Sequence, residues 1–175
     1  MNNILETDSV RLRALEPEDI DVLYLWENDP SVWGVSGTLA PFSRQVLRQF
    51  IEKQQLDIWS AGQLRFVIVC NNDGRAVGTI DLFDADPFNM RAGVGILING
   101  LERGRGYASQ ALELLIDYAR NILLLNQLYC DIDISNEASR ALFAGCGFVE
   151  CGIRRRWRRT AKGWSDVVTM QLLFR

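Results

Sequence analysis

One segment limits the fold of this chain more than any other: a strand, a glycine-rich turn, an amphipathic helix and a second strand follow one another. The strand "AGVGILI" covers residues 92–98, the turn covers 99–109, the helix "QALELLIDYARNILL" begins at 110, and the strand "QLYCDIDI" covers 127–134. The apolar side chains that recur at helical spacing predict a face that packs on a sheet: Ala111, Leu112, Leu115, Tyr118 and Ala119. Strands joined by a helical crossover run parallel. The chain is therefore predicted to be an α/β protein.

The rest of the sequence predicts further strands and helices around this crossover, with no repeat and no linker. A length of 175 residues with 48% apolar side chains suits one domain over residues 1–175. The further predicted elements are a strand over 10–16, a helix over 16–29, a helix over 44–60 that Ser43 caps and Gly62 ends, a hairpin over 64–83 around Asp73-Gly74, a short helix over 136–146, and strands over 149–159 and 164–174.

Composition excludes several classes of protein. No apolar run approaches the roughly 20 residues needed to cross a bilayer, and the N-terminus lacks a secretory signal, so a cytoplasmic protein without membrane contact is predicted. The four cysteines show no C-x-x-C spacing, which predicts free thiols and no zinc site. The chain has no histidine, so imidazole is excluded as a metal ligand or general base, and no metal is predicted.

Charge is distributed unevenly along the chain. Residues 1–60 carry a net charge of −5, residues 61–152 carry −4, and residues 153–175 carry +6. The total of −3 argues against a nucleic-acid partner. Within the run "IRRRWRRTAK", strand alternation places Arg154, Arg156 and Arg158 on one face, and Arg155, Trp157 and Arg159 on the other. The run is compatible with a solvated strand or dimer edge, with binding of an acidic peptide substrate, or with binding of RNA or a ribosomal surface. A homo-oligomer therefore stays possible.

The turn before the helix carries the pattern with the most chemical content. Its glycines, Gly104 and Gly106, precede a helix N-terminus, where free backbone N–H groups and the positive end of the helix dipole attract anions. The spacing is neither that of a Walker loop nor that of a dinucleotide-binding fingerprint. Taken alone, it also fits an ordinary tight turn between a strand and a helix.

Two motifs give the chain a resemblance to a known family. "RGRGYA" matches the R/Q-x-x-G-x-G/A signature of the GCN5-related N-acetyltransferases (GNAT). "SNEASRALFAGCGF" is similar to the later helix of the same family, which begins with an asparagine. The opening "VRLRALEPEDIDVLYLWENDPSV" resembles the branch of spermidine acetyltransferases and ribosomal-protein N-terminal acetyltransferases. The resemblance implies a GNAT-like acyl-CoA N-acyltransferase fold, an α/β fold with a mixed, mostly antiparallel sheet and helices on both faces. Its parallel strands, near 94–98 and 128–134, would splay apart.

The resemblance also implies where acetyl-CoA would lie. The cofactor arm would pair with strand backbone in the gap between the splayed strands, and the amides of the turn would hold the pyrophosphate. The residues expected to contact acetyl-CoA are Ile96, Leu97, Ile98, Arg103, Gly104, Arg105, Gly106, Tyr107, Ala108, Ser109, Asn136 and Phe143.

The family reaction is direct attack of an amine on the thioester. A backbone N–H near Ile96 would stabilise the oxyanion, and in the absence of histidine Asp81 is the first candidate for the base. Glu27 and Asp29, with Asp81, are candidates for binding a cationic substrate. Many relatives carry a carboxylate where this chain has Gly93.

The chain also departs from the family pattern at the residue that would protonate the departing thiolate. Relatives commonly place a tyrosine at the position of Phe143, which leaves water, Ser139 or Cys146 to deliver the proton. The sequence favours an acetyl-CoA-dependent N-acetyltransferase acting on a polyamine or similar small amine. The alternatives are a protein N-terminal acetyltransferase that takes a peptide amine, and a non-catalytic acyl-CoA-binding module.

Overall fold

The computed structural model describes residues 4–160 and 162–174, which form one seven-stranded sheet with helices on both faces. The strands are β1 (Val10–Ala14), β2 (Leu64–Cys70), β3 (Ala76–Asp86), β4 (Arg91–Ile98), β5 (Gln127–Asp133), β6 (Val149–Thr160) and β7 (Gly163–Leu173). The helices are α1 (Ile20–Glu27), α2 (Pro30–Ser36), α3 (Arg44–Lys53), α4 (Ile58–Ala61), α5 (Tyr107–Asn121) and α6 (Glu137–Gly145). The strand order is β1-β2-β3-β4-β5-β7-β6, and every adjacent pair is antiparallel except β4 and β5. The predicted mixed, mostly antiparallel sheet is confirmed.

Each face of the sheet has its own apolar core. The predicted stripe of α5 packs on one face, where Ala111, Leu112 and Leu115 are fully buried. On the opposite face, α1 and α3 pack against Val67 and Val69 of β2. That second layer stops short of β5 and β7, which carry polar side chains such as Asp131, Thr169 and Gln171 on this face. Within the described residues, no helix combines the length and apolar character needed to cross a membrane.

The parallel strands β4 and β5 pair over a short stretch and then separate. Their register runs from Arg91 opposite Gln127 to Gly93 opposite Tyr129. Beyond that point β4 keeps its pairing with β3, and β5 keeps its pairing with β7. The gap predicted between the two strands is therefore present, and it opens immediately after Gly93 and Tyr129.

The predicted helix over 44–60 is wrong in one respect, because two helices occupy this stretch. Ser43 caps α3 as predicted, its hydroxyl accepting the Val46 N–H, but the helix ends at Lys53. The Asp57 carboxylate then accepts the Trp59 and Ser60 N–H groups and starts α4, which ends at Gly62. A second capping carboxylate in mid-segment thus divides the helix. The short α2 was not predicted either.

Strict alternation along the basic run of β6 is also wrong. Arg156 has a φ of 49°, and the pairing with β7 shifts register between Arg154 and Arg158. The guanidinium of Arg154 consequently lies 4.7 Å from the ring centroid of Trp157, which alternation had placed on the opposite face. A bulge of this kind re-aims the side chains that follow it.

The four cysteines differ in their expected reactivity. All four are free thiols; Cys130 is buried, and burial raises its pKa to about 12, whereas Cys151 is exposed. With that pKa, only about one Cys130 thiol in ten thousand is ionised at pH 8. Iodoacetamide at pH 8 is therefore expected to modify Cys151 in the native protein and Cys130 only after denaturation. Peptide mapping measures both sites, and equal rates in the native protein would contradict the burial of Cys130.

Candidate active site

The β4 side of the gap offers unpaired strand backbone. The Asn99 N–H donates to the carbonyl of Val77 at 2.9 Å, so the backbone groups of odd-numbered residues of β4 point to β3. By alternation, the N–H and C=O groups of Ile96 and Ile98 point into the gap, while their side chains pack on the α5 core. The backbone of Leu97 instead points to β3, where Leu97 is paired with Thr79. An extended ligand can therefore pair with Ile96 and Ile98 as an added strand would.

An arginine from the neighbouring loop partly occupies this edge. The Nε of Arg103 donates to the Ile98 carbonyl at 3.3 Å. A ligand that pairs with Ile98 through the same oxygen must displace or share this contact. The interaction also shows that the Ile98 carbonyl faces the gap and not β3.

At the end of the gap, α5 begins without a side-chain cap. Gly104 and Gly106 adopt left-handed backbone, with φ values of 76° and 78°, and Gly106 is the N-cap residue. In the part of the chain that the structure describes, the backbone N–H groups of residues 104–109 have no hydrogen-bond acceptor. A run of free N–H groups at a helix start binds phosphate well, so the predicted anion site has the required geometry.

Side chains around this loop are held by the protein itself. Glu102 is 5% exposed and accepts from Arg75 at 2.6 Å, and its second oxygen lies 3.3 Å from Arg105. The Tyr107 hydroxyl lies 3.5 Å from the sulfur of Cys70. The side chains of Arg105 and Tyr107 are thus engaged within the protein, and their backbone N–H groups remain available to a ligand. Sequence reasoning missed Glu102, whose burial depends on the distant Arg75.

The β5 side of the gap ends at the start of α6. The Asn136 Oδ1 caps this helix by accepting the Ser139 N–H at 3.1 Å, which leaves the Asn136 Nδ2 without a partner among the described residues. Phe143 lies in the core with its ring edge-on to Phe148, 5.0 Å between centroids. A tyrosine at this position would bury a hydroxyl that needs a new hydrogen-bond partner. Contact of Asn136, Ser139 or Phe143 with a ligand stays a prediction.

Two of the three predicted carboxylates meet at a buried arginine. The Arg65 guanidinium donates to Asp81 through Nη2 at 2.6 Å and to Glu27 through Nη1 at 2.5 Å. Gln63 also donates to the same oxygen of Asp81, at 2.8 Å. All three charged side chains are at most 16% exposed. We call Glu27, Arg65 and Asp81 the acidic cluster, because two carboxylates and one guanidinium leave one net negative charge.

The charges of this cluster depend on one another. Burial by itself lowers the pKa of Arg65, but the neighbouring charges of Asp81 and Glu27 outweigh it and raise that pKa, so the guanidinium stays protonated. Asp81 is consequently an ion-paired carboxylate with its oxygens occupied. Its predicted function as a base stays a prediction, and it requires the Arg65 and Gln63 contacts to be rearranged or a water to relay the proton.

Asp29 lies outside the acidic cluster. Its carboxylate caps α2 by accepting the Ser31 N–H at 2.8 Å, and this hydrogen bond is the main cause that lowers the pKa of Asp29. The charge of Arg103 also lowers the pKa of Asp29. The structure thus brings Glu27 and Asp81 together and leaves Asp29 as an exposed helix cap. No group of three metal-ligating side chains occurs among the described residues.

Comparison with known proteins agrees with this arrangement. A family model described as an acetyltransferase (GNAT) domain matches residues 9–149. The chain is 30% identical over 172 residues to the uncharacterized N-acetyltransferase p20 of Bacillus licheniformis, covering 98% of this chain and 96% of that protein. It is 30% identical over 143 residues to the spermidine N(1)-acetyltransferase of Escherichia coli (strain K12), covering 80% of this chain and 73% of that protein.

A solved structure has the same fold. The spermidine N-acetyltransferase of Vibrio cholerae, solved in complex with CoA and spermine, superposes with a TM-score of 0.87. The superposition covers 95% of this chain and 96% of that one at 24% sequence identity. At this identity the likeness establishes the fold.

Proposed function

The chain belongs to the GNAT acetyltransferase family, and we propose that it transfers the acetyl group of acetyl-CoA to a primary amine of a polyamine such as spermidine, or of a similar small amine. The observation that carries this proposal is the gap between β4 and β5, which has free strand backbone along one side and the uncapped start of α5 at its end. The spermidine acetyltransferase relative supports the choice of acceptor.

The residues around the gap fit acetyl-CoA. The N–H groups of residues 104–109 would hold the pyrophosphate, the backbone of Ile96 and Ile98 would pair with the pantetheine arm, and the free Nδ2 of Asn136 would donate to it from the opposite side. Bound there, acetyl-CoA supplies the activated acetyl group as a thioester. CoA binding by the V. cholerae enzyme of the same fold supports this placement.

The electrostatics near the gap favour a cationic acceptor. The acidic cluster carries one net negative charge and lies on the face of the sheet that α1 and α3 cover. A cleft of about 430 Å³ has Tyr129, Asp84, Asp86 and Arg91 in its lining. Asp86 forms an ion pair with Arg91 at 3.2 Å, while Asp84 has no ion-pair partner within the described residues. The charged side chains of the cleft therefore leave one net negative charge, which attracts a cation.

This chain's own groups supply three contributions to the transfer. The Ile96 N–H points into the gap, where it would stabilise the negative charge that develops on the carbonyl oxygen. A primary ammonium with a pKa of about 10.4 must lose its proton, which costs roughly 4 kcal/mol at pH 7.4. Asp81, acting through water, is the proposed acceptor of that proton. Ser139 or water would return a proton to the departing thiolate.

An assay of thiol release with a panel of amines tests the proposed function. Purified protein is incubated with acetyl-CoA and with spermidine, a linear diamine, an amino acid amide or an N-terminal peptide, and free CoA is measured. We expect release with spermidine and the diamine and little with the other two. Release with the peptide alone would transfer the assignment to a protein N-terminal acetyltransferase. Tight CoA binding without release for any amine would make the chain a binding module.

Asn136 allows the structural and ligand-binding contributions of one side chain to be separated. Asn136→Asp retains a capping oxygen, so we expect little change in thermal stability, but the Nδ2 donor is lost and acetyl-CoA affinity falls about three- to tenfold. Asn136→Ala loses the cap as well and costs about 1 kcal/mol of stability. Calorimetric titration with CoA and thermal unfolding measure the two effects. Wild-type CoA affinity in Asn136→Asp would remove Asn136 from the binding site.

A further inference from the structure

One aromatic ring lies on the strand backbone beside the point where the parallel strands separate. Phe83 of β3 is opposite Gly93 of β4. A Cβ built at Gly93 would lie 2.5 Å from the Phe83 ring, and one at Gly95 would lie 3.6 Å from it. The ring therefore fills the space above Gly93, where only a residue without a side chain fits, and lies within van der Waals contact of a Cβ at Gly95.

A second ring completes a wall on this face of the sheet. Tyr129 of β5 is opposite Gly93 in the last paired position before the gap, and its ring meets Phe83 edge-on with 6.2 Å between centroids. Both side chains are half-buried. Burial raises the pKa of Tyr129, and the charges of Asp84 and Asp131 raise it further. We call Phe83 and Tyr129 the aromatic wall.

The position of this wall matters because it lies on the face of β4 that α5 leaves open. On the α5 face, the side chains of Val94, Ile96 and Ile98 are packed in the core and block access. On the opposite face, Gly95 and Leu97 flank Ile96, and a Cβ built at Gly95 would lie 3.6 Å from the Phe83 ring and about 4.0 Å from the Asp81 side chain. Since Gly95 has no side chain, an amine that approaches the Ile96 N–H over this glycine passes between the acidic cluster and Phe83.

From this geometry we propose that the aromatic wall selects the acceptor by the carbon that bears its amine. The wall admits a primary amine on an unbranched methylene and excludes an amine on a branched carbon. The inference rests on the proposed function for the position of the reaction. A methylene ammonium can lie against the ring face, which favours a cation. A substituent on the adjacent carbon must enter the volume that Phe83 fills. Polyamine ends are unbranched, whereas peptide N-termini other than glycine are branched at Cα.

Paired substrates test this selection. Spermidine is compared with a counterpart that carries a methyl group on each carbon bearing a primary amine, in wild type, Phe83→Leu and Phe83→Ala. One methyl group in a closely fitting pocket changes kcat/KM by about 10- to 200-fold. We expect wild type to prefer spermidine by about 10- to 200-fold in kcat/KM. Phe83→Ala is expected to reduce this preference about tenfold, because it gains activity on the branched amine. Phe83→Leu is expected to show an intermediate preference. An unchanged preference in Phe83→Ala would overturn the inference.

A matched substitution controls for loss of a phenylalanine in itself. Phe88 is 93% exposed in the turn after β3, so Phe88→Ala is expected to keep both the preference and the thermal stability of wild type. Gly93→Ala tests the position of the ring independently: its methyl group meets Phe83, so thermal stability falls, and Phe83→Ala in the same chain restores it. Equal stability of Gly93→Ala and wild type would show that the ring lies elsewhere.

The inference and the proposed function fail in different ways. If wild type releases no thiol with any amine, the proposed function fails, and calorimetric affinities of the two amines for the CoA complex decide the inference. A preference for spermidine that Phe83→Ala removes would support the aromatic wall as a selective site. Equal affinities, or no binding of either amine, would overturn it.

Discussion

Gly106→Val is expected to lower the affinity for acetyl-CoA by about tenfold or more while the fold is retained. Gly106 has a φ of 78°, and a β-branched residue in left-handed backbone is strained by roughly 1–2 kcal/mol. We expect the free loop to relieve this strain by turning the N–H groups at the start of α5 away from the phosphate position. Binding must then restore the strained conformation, which corresponds to about tenfold in affinity. Calorimetric titration with CoA measures the loss.

The reason for this effect is conformational and not a clash within the protein. A Cβ at Gly106 would meet only the Gln110 amide, at 3.9 Å, so steric obstruction within the unliganded loop does not explain the predicted loss. Gly152→Val is the matched control, because its position in β6 has open space and ordinary backbone. Both variants are expected to unfold near the wild-type temperature. Undiminished CoA affinity in Gly106→Val would refute the phosphate site at residues 104–109.

Arg65→Met is expected to reduce the free energy of unfolding by about 3–5 kcal/mol, because it leaves Glu27 and Asp81 as uncompensated, largely buried carboxylates. Arg65→Lys keeps the charge but not the fork of donors, so an intermediate loss is expected. Denaturant unfolding at pH 7 measures the series.

Arg44→Met provides a closely matched control. Arg44 pairs with Asp21. Its guanidinium lies 4.7 Å from the ring centroid of Tyr24. The guanidinium of Arg65 lies at the same distance from the ring centroid of Phe50. The Arg44 pair is exposed, at 46% and 75%, so its loss should cost no more than about 1 kcal/mol. Similar losses for Arg44→Met and Arg65→Met would show that the acidic cluster contributes no more than a surface ion pair.

The acidic cluster also affects which group can act as the base in a chain that has no histidine. Without imidazole, the sequence leaves carboxylates as the available bases, and Asp81 lies on the strand beside β4, opposite Gly95. The structure adds Arg65, which pairs with Asp81 and occupies its oxygens. Direct transfer of a proton from the ammonium to Asp81 would require these contacts to break, so a relaying water fits the geometry better than direct contact.

Local patterns were sufficient for the elements that depend on near neighbours in the chain. The glycine-rich turn, the apolar stripe of α5 and the short helix that follows Asn136 each involve residues within a few helical turns, and each is found where the sequence predicts it. The capping contact of Asn136 itself was not predicted. The separation of β4 and β5 followed from the family resemblance, because no local pattern specifies where two parallel strands diverge.

The sequence by itself determined the strand, turn and helix that surround the proposed phosphate site, because periodicity, capping and glycine conformation are properties of short segments. Only the tertiary structure decided that Arg65 joins Glu27 to Asp81, that Glu102 is buried against Arg75, and that Phe83 covers Gly93. These contacts join residues that are distant in the chain, and sheet register and helix packing bring them together. The acidic cluster and the contact of Phe83 with Gly93 therefore depend on long-range packing, whereas the glycine-rich turn and the start of α5 are encoded locally.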